Sequence, residues 1–330
     1  MTQAYDVCGI GNAIVDVLAK VEEDFITAHK LPKGGMQLIE EPEAERLYAA
    51  MGPAIEASGG SAANSIAGIA ALGGKAAFIG RVKDDSLGRV FGHDIRGAGV
   101  AFHTSPVKEG PSTARCYVLV TPDGERTMNT YLGASVEFAS GDIDKEMIEA
   151  SAITYLEGYL WDRPQAKEAF ITAARVARAA GREVSLTLSD RFCVERHRDS
   201  FRELIRKEVD ILFANESEIL SLYQTDDFDS AVNQAKADCR LAAITRSAQG
   251  SVVVHGDEVH RVPARLVENV VDTTGSGDLF AAGFLFGLTH SRSLTDCARL
   301  GSLAAAEVIQ HLGARPQANL KALAQEAGLL

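Results

Sequence analysis

Apolar and polar positions along the chain switch between the spacing of strands and that of helices. The run Val7 to Val17, broken by Gly9 and Gly11, reads as one buried strand leading into a ligand-facing turn. From Ser61 to Leu72, Ala63, Ile66, Ala67 and Ala70 recur at helical spacing, and Ala76 to Val82 returns to a strand-like run. The same alternation predicts a strand at Ala152 to Glu157, a helix at Gln165 to Ala180, and strands at Glu183 to Leu188 and Ile211 to Ala214. Strands alternating with helices build a parallel sheet covered by helices. Open sheets of this kind place ligands beyond the carboxyl ends of their strands.

Two stretches break the alternation: Met36 to Glu40, and Ala101 to Lys108 together with Thr113 to Val120. The turn Pro122-Asp123-Gly124-Glu125 then leads into an extended run from Arg126 to Leu132. These segments are expected to form a small β-rich lid. Residues 1–15, 42–100 and 131–330 are accordingly assigned to an α/β core, and residues 16–41 and 101–130 to the lid.

Composition narrows the classes of function. Among 330 residues, 46% are hydrophobic and 24% charged, the balance of a globular chain with a sizeable core. A net charge of −12 argues against a nucleic-acid partner, because phosphate backbones require a basic face. No apolar run approaches the roughly 18 residues of a membrane helix, and Met1-Thr2-Gln3-Ala4-Tyr5-Asp6 lacks a basic or apolar leader region. Cys8, Cys116, Cys193, Cys239 and Cys297 form no CxxC pair, which fits reduced thiols in the cytoplasm rather than a zinc site or disulfide framework. The expected assembly is a monomer or homodimer.

The chemistry concentrates in a few blocks. In Val270-Val271-Asp272-Thr273-Thr274-Gly275-Ser276-Gly277-Asp278-Leu279-Phe280, glycines precede a helix-like stretch, so backbone N–H groups can approach an anion. Asp278 can take a proton from an attacking hydroxyl there, or simply cap the helix. A second block, Gly59-Gly60-Ser61-Ala62-Ala63-Asn64, is followed by Leu72-Gly73-Gly74 and by Gly80 to Gly88. Alone, Asp16 reads as a turn residue. Asn215 and Glu218 have the spacing of a helix cap with its capping-box acid. Rival motifs fail: Gly9-Ile10-Gly11 lacks the third glycine of GxGxxG because Ile14 stands there, and neither GxxxxGK[ST] nor HExxH occurs.

The two glycine-rich blocks, in this order, resemble the ribokinase-like (PfkB) carbohydrate and nucleoside kinase family. The resemblance extends from Gly11-Asn12-Ala13-Ile14-Val15-Asp16 to Gly313-Ala314-Arg315-Pro316, and Leu186 to Phe192 followed by Val209 to Glu218 looks closest to adenosine kinases. It implies a three-layer α/β/α core with a central, mostly parallel sheet and a small β-rich lid. The implied activity is ATP- and magnesium-dependent phosphorylation of a nucleoside 5′-hydroxyl, adenosine to AMP foremost. The alternatives are ribose or fructose, inosine or guanosine, or a silent nucleoside-binding protein.

By the same resemblance Asp278 is the general base, the backbone of Gly275, Ser276 and Gly277 forms an anion hole, and Arg126 holds the transferring phosphate. Asn12, Asp16, Gly59, Gly60 and Asn64 are then acceptor ligands. Asn215 and Glu218 support magnesium largely through water, and Asn215, Thr245, Ser247, Gly250, Gly275 and Gly277 meet ATP. Asp272, Thr274, Val308, His311 and Gly313 resemble a monovalent-cation loop for potassium, although Gln317 stands where ribokinases commonly have serine. Tyr117, Tyr131, Tyr159 and Trp161 are the candidate flat walls for a base, with core filling as their other role.

Overall fold

The computed structural model describes residues 3–330. Met1 and Thr2, where the expected leader-free N-terminus starts, lie outside the described residues. The strands in chain order are β1 (Tyr5–Ile10), β2 (Ile14–Lys20), β3 (Met36–Leu38), β4 (Ala54–Gly59), β5 (Ala76–Ile79), β6 (Val100–Ala101) and β7 (Ala114–Val120). They continue with β8 (Arg126–Tyr131), β9 (Ser151–Glu157), β10 (Glu183–Thr187), β11 (Ile211–Asn215), β12 (Leu241–Thr245), β13 (Ser251–His255) and β14 (Glu258–Val262).

A nine-stranded sheet runs β14-β13-β12-β11-β10-β9-β1-β5-β6, parallel from β12 through β6 and closed at the other edge by the antiparallel pairs β12/β13 and β13/β14. Side chains alternate across it with period two. Val7, Phe78, Ile153, Ile211 and Leu241 enter one apolar core, whereas Cys8, Ile79, Leu156, Leu212 and Ala242 enter the other. Both faces are covered, which is why these strands read as continuous apolar runs. Helices Ser61–Ala71, Ser276–Thr289 and Leu294–Val308 cover the first face; helices Pro164–Ala179, Arg191–Glu208 and Phe228–Asp238 cover the second. The expected three-layer core with a mostly parallel sheet is therefore present.

A second sheet of five strands runs β3-β8-β7-β2-β4. Its composition corrects three expectations. The run Val7 to Val17 is two strands: β1 ends at Ile10, and β2 begins at Ile14 in the other sheet. Gly11 permits the crossing, since a Cβ there would lie 2.2 Å from the buried Glu157 carboxylate. Next, β4 falls inside segment 42–100 but pairs with β2 in the small sheet. Finally, Ala101 to Lys108 supplies no strand to the small sheet: Val100–Ala101 is an edge of the large one, and Val107 makes only an isolated bridge to Lys83. Short edge strands such as β6 carry too few residues for the sequence pattern to identify their partner.

Among the described residues no helix is long and apolar enough to cross a membrane. All five cysteines are free and buried.

Helix Ser276–Thr289 is buried along most of its length and crosses Leu294–Val308 closely. At the crossing, a Cβ on Gly283 would stand 2.4 Å from the Leu300 carbonyl oxygen, which is backbone and cannot rotate away. Gly283→Ala is therefore expected to cost about 1–3 kcal/mol by overpacking, read as a lower denaturation midpoint. An unchanged midpoint would show that the two helices separate freely.

Candidate active site

The strand order turns at β1, which has β9 on one side and β5 on the other, and at that turning point the carboxyl ends of the strands open into a cleft. Its volume is about 1940 Å³ and its walls come from both sheets. A pocket for one small ligand usually holds roughly 300–1,000 Å³, so this cleft has room for two.

At one end, the small sheet presents its inner face. Along β2, Ile14, Asp16 and Leu18 line the cleft, while Val15, Val17 and Ala19 turn to the opposite face and join a core with Ile26, Ala44 and Leu47. Cys116 and Val118 on β7, and Arg126, Met128 and Thr130 on β8, follow the same alternation. The wall is thus mostly aliphatic and thioether, and Leu312 packs against its Cys116-Val118 cluster. Period two also removes two expected base contacts. Tyr117 and Tyr131 face away from the cleft; Tyr117 stacks on Tyr48 with ring centroids 6.0 Å apart, and Arg115 lies over the Tyr131 ring at 5.0 Å. Trp161 is likewise core, packed on Phe170 and Phe201 with its Nε1 donating to Ser200 Oγ at 2.9 Å. Tyr159 does line the cleft, accompanied by the exposed Phe192, which the sequence reading did not single out as an aromatic wall.

The polar floor gathers Asn12, Asp16, Gly60, Ser61, Asn64 and Asp278. Gly59 borders the floor rather than lining it: a Cβ there would sit 2.3 Å from Asp16 Oδ2, so its bare backbone leaves room for that carboxylate. Asp278 Oδ1 accepts from Ser61 Oγ at 2.6 Å and Oδ2 from Asn64 Nδ2 at 3.0 Å. Asn64 Oδ1 is buried with no protein partner, a free acceptor beside the Asp278 carboxylate. Burial pushes the Asp278 carboxyl up to about 6, against the opposing donors Ser61 and Asn64 and the Arg315 charge. Asp16 also rises to about 6 through burial, opposed by Arg315 and Arg126 and reinforced by Asp278.

Asn12 is less free than expected, because its Nδ2 donates to Glu157 Oε1 at 2.6 Å. Glu157 is a site residue the motif reading missed. It also accepts from Ala62 N at 2.8 Å, and burial pushes it up to about 7. A charged residue at the carboxyl end of an otherwise uncharged strand was its available signal. Arg315 was missed as a site residue too, and no periodicity marks it.

Helix Ser276–Thr289 begins at the glycine-rich turn. Its N-cap Gly275 has φ +75°, and a Cβ there would meet Ala314 Cβ at 2.7 Å. Gly275, Ser276 and Gly277 all face the cleft. Arg126 reaches from β8 to this turn, where it bonds Thr274 Oγ1 and pairs with Asp272.

That contact changes the picture of the expected cation loop. The Asp272 carboxylate, fully buried, also accepts from Thr274 N at 2.8 Å and Gly313 N at 2.9 Å. Its charge is met by the guanidinium. Val308 is buried at the end of its helix, and the His311 ring faces Glu307 Oε1 at 3.2 Å, so neither lines the cleft with Thr274 and Gly313.

At the other end, Asn215 caps helix Glu216–Tyr223 and forms a capping box with Glu218: Asn215 Oδ1 accepts from Glu218 N at 2.9 Å, and Glu218 Oε2 from Asn215 N at 2.9 Å. Glu218 is buried, which pushes its carboxyl up to about 7. Thr245, Ser247 and Gly250 line the same end. So do Leu266 and Val270, exposed apolar residues that no motif singled out as a surface.

Comparison with known proteins accounts for this arrangement. The pfkB family carbohydrate kinase profile matches residues 54–321. The adenosine kinase of Sinorhizobium meliloti is 55% identical with a TM-score of 0.91, over 98% of this chain and 99% of that one. A probable sugar kinase from Rhizobium etli CFN 42 is 52% identical with a TM-score of 0.92, over 100% of both chains. The probable fructokinase-6, chloroplastic, of Arabidopsis thaliana is 31% identical over 262 residues, 77% of this chain and 68% of its own. The chain belongs to the pfkB family of carbohydrate kinases and is an ATP-dependent phosphotransferase with an alcohol acceptor.

Proposed function

We propose that the acceptor is a purine nucleoside, adenosine foremost, phosphorylated on its 5′-hydroxyl with the small sheet acting as a lid. The observation that carries this reading is the inner face of that sheet, where Leu18, Met36, Val118 and Met128 stand over a polar floor with Asp16 and Asn64. A nucleobase needs broad apolar walls, whereas a free sugar needs mainly hydrogen-bonding groups. The likeness to the Sinorhizobium meliloti adenosine kinase supports the same choice.

In this reading the ribose hydroxyls bond Asp16 and the free Asn64 Oδ1. Asp278 takes the 5′-hydroxyl proton as that oxygen attacks the γ-phosphorus of ATP, and ADP leaves. Backbone N–H groups of Gly275, Ser276 and Gly277 neutralise charge on the transferring group, the usual role of an oriented helix start. Arg126, already at this turn, binds the same group by charge-assisted hydrogen bonds. Thr245, Ser247 and Gly250 hold the nucleotide beside Leu266 and Val270.

The donor set suits a hydrated magnesium ion. Asn215 and Glu218 offer only oxygen ligands besides the amide N–H groups, and the capping box already engages them, which fits contact through water. When bound, magnesium offsets the charge of the ATP phosphates.

Asp278→Asn is expected to fold and bind ATP but to lose about 10²–10⁴-fold in kcat, the usual cost of removing a general base. Near-normal turnover would sink the role of Asp278.

Because the base must be ionised and its pKa lies at about 6, kcat/KM should be level above neutrality. It should fall as pH drops through about 6, approaching tenfold per pH unit below it. Asp16 titrates in the same window and in the same direction, which steepens the fall beyond tenfold per unit where both carboxylates are protonated. A profile flat to well below that range would contradict both assignments.

The substrate is tested by kcat/KM for adenosine, inosine, guanosine, ribose and fructose under identical magnesium-ATP. Adenosine is expected to lead. Equal or better use of either sugar would overturn the nucleoside reading and leave the kinase intact.

A further inference from the structure

We propose that Arg315 is a positioning residue for phosphoryl transfer, stapling the turn that joins the small sheet to the core and supplying the fixed positive charge that lets Asp16 and Asp278 be anionic together. The inference rests on Asp278 being the base.

The geometry of the guanidinium carries it. Nε and Nη2 donate to the Ser58 carbonyl at 3.2 and 2.9 Å, Nη2 to Ser58 Oγ at 2.9 Å, and Nη1 to the Ala63 carbonyl at 2.9 Å. Ser58 lies in β4 and Ala63 in helix Ser61–Ala71, so one planar fork bridges the whole Gly59 to Ala62 turn. Ser61 and Asn64, the two donors to Asp278, sit within or next to that bridged segment. Ser58 is braced from behind by Asp94, whose Oδ2 accepts from Ser58 N at 2.7 Å and Ser58 Oγ at 2.6 Å.

Every acceptor of Arg315 in this set is neutral. Its charge is therefore not consumed in a direct ion pair, and it acts on Asp94, Asp16 and Asp278. Around those two cleft carboxylates stand Glu157 at the end of β9, the hydroxyls of Tyr155 and Tyr159, and Arg126 on β8. Arg126 is engaged with Asp272, so Arg315 is the cation the core itself provides. Burial lowers its own pKa to about 10, which leaves it protonated at neutral pH. A lysine would keep the charge but lose the fork.

The test compares Arg315→Met, Arg315→Lys and Asp278→Asn with the parent enzyme, measuring kcat/KM for adenosine against pH together with thermal midpoint and ATP affinity. With the charge gone, Arg315→Met should move the acid limb up by about one pH unit, a loss of about fivefold at pH 6 that approaches tenfold below it and shrinks at higher pH. Arg315→Lys should keep the limb in place and lose activity evenly across pH, because only the staple is broken. An unmoved limb in Arg315→Met, with only a lowered thermal midpoint, would reduce Arg315 to a structural residue and overturn the proposal. Should Arg315→Met not fold, Arg315→Lys decides: activity equal to the parent at every pH overturns the staple, and an even loss supports it. Full activity in Asp278→Asn would instead indict the base assignment, whereas an inactive Asp278→Asn beside an unmoved Arg315→Met limb indicts this inference alone.

Discussion

The Glu157 carboxylate bonds two of the four places where the chain passes between the two sheets. One oxygen holds Asn12, in the short crossing from β1 to β2, and the other holds the N–H of Ala62, where β4 returns to the core helix. Polar groups buried this deeply are costly unless paired, and Glu157 is 1% exposed. Satisfying one buried carboxyl therefore pins the small sheet over the carboxyl ends of the large one. The polar floor is built where these two crossings meet, and the cleft is completed by the passages from β6 to β7 and from β8 to β9.

The same crossings explain why so many carboxyl groups share one cleft. Asp16 arrives with β2 immediately after the first crossing, and Asp278 arrives from the far end of the sequence at a helix start. Neither position is chosen by local stability, since both side chains have raised pKa values. Groups of this kind, perturbed by burial and aimed into a cleft, concentrate at functional sites. Opposing charge comes from two directions, Arg126 on the small sheet and Arg315 on the C-terminal loop. The contact of Arg126 with Asp272 and Thr274 further ties the roof to the glycine-rich turn, so exclusion of water from the reaction would depend on residues of both sheets.

What the sequence by itself determined was the covered parallel sheet, the existence of a second β-rich unit, and the two glycine-rich blocks. These are local signals. A strand buried on both faces reads as an apolar run, and a tight turn before a helix shows as glycine whatever surrounds it. Asp278 and Asn64 were legible for the same reason, each lying within such a block, whereas Asp16 was named only through the resemblance of Gly11 to Asp16. The tertiary structure alone decided which sheet a strand joins, as for β4 and Ala101 to Lys108, because hydrogen-bond partners far along the chain leave no mark on a strand's own pattern. It also decided which tyrosines meet the cleft: period two places Tyr117 and Tyr131 on one face, but only the packed sheet defines which face is inward. The partners of Glu157 and Arg315 were decided by the same route, since their bonds reach groups 95, 145 and 252–257 residues away, contacts that arise from the folded path of the chain and from no spacing within it.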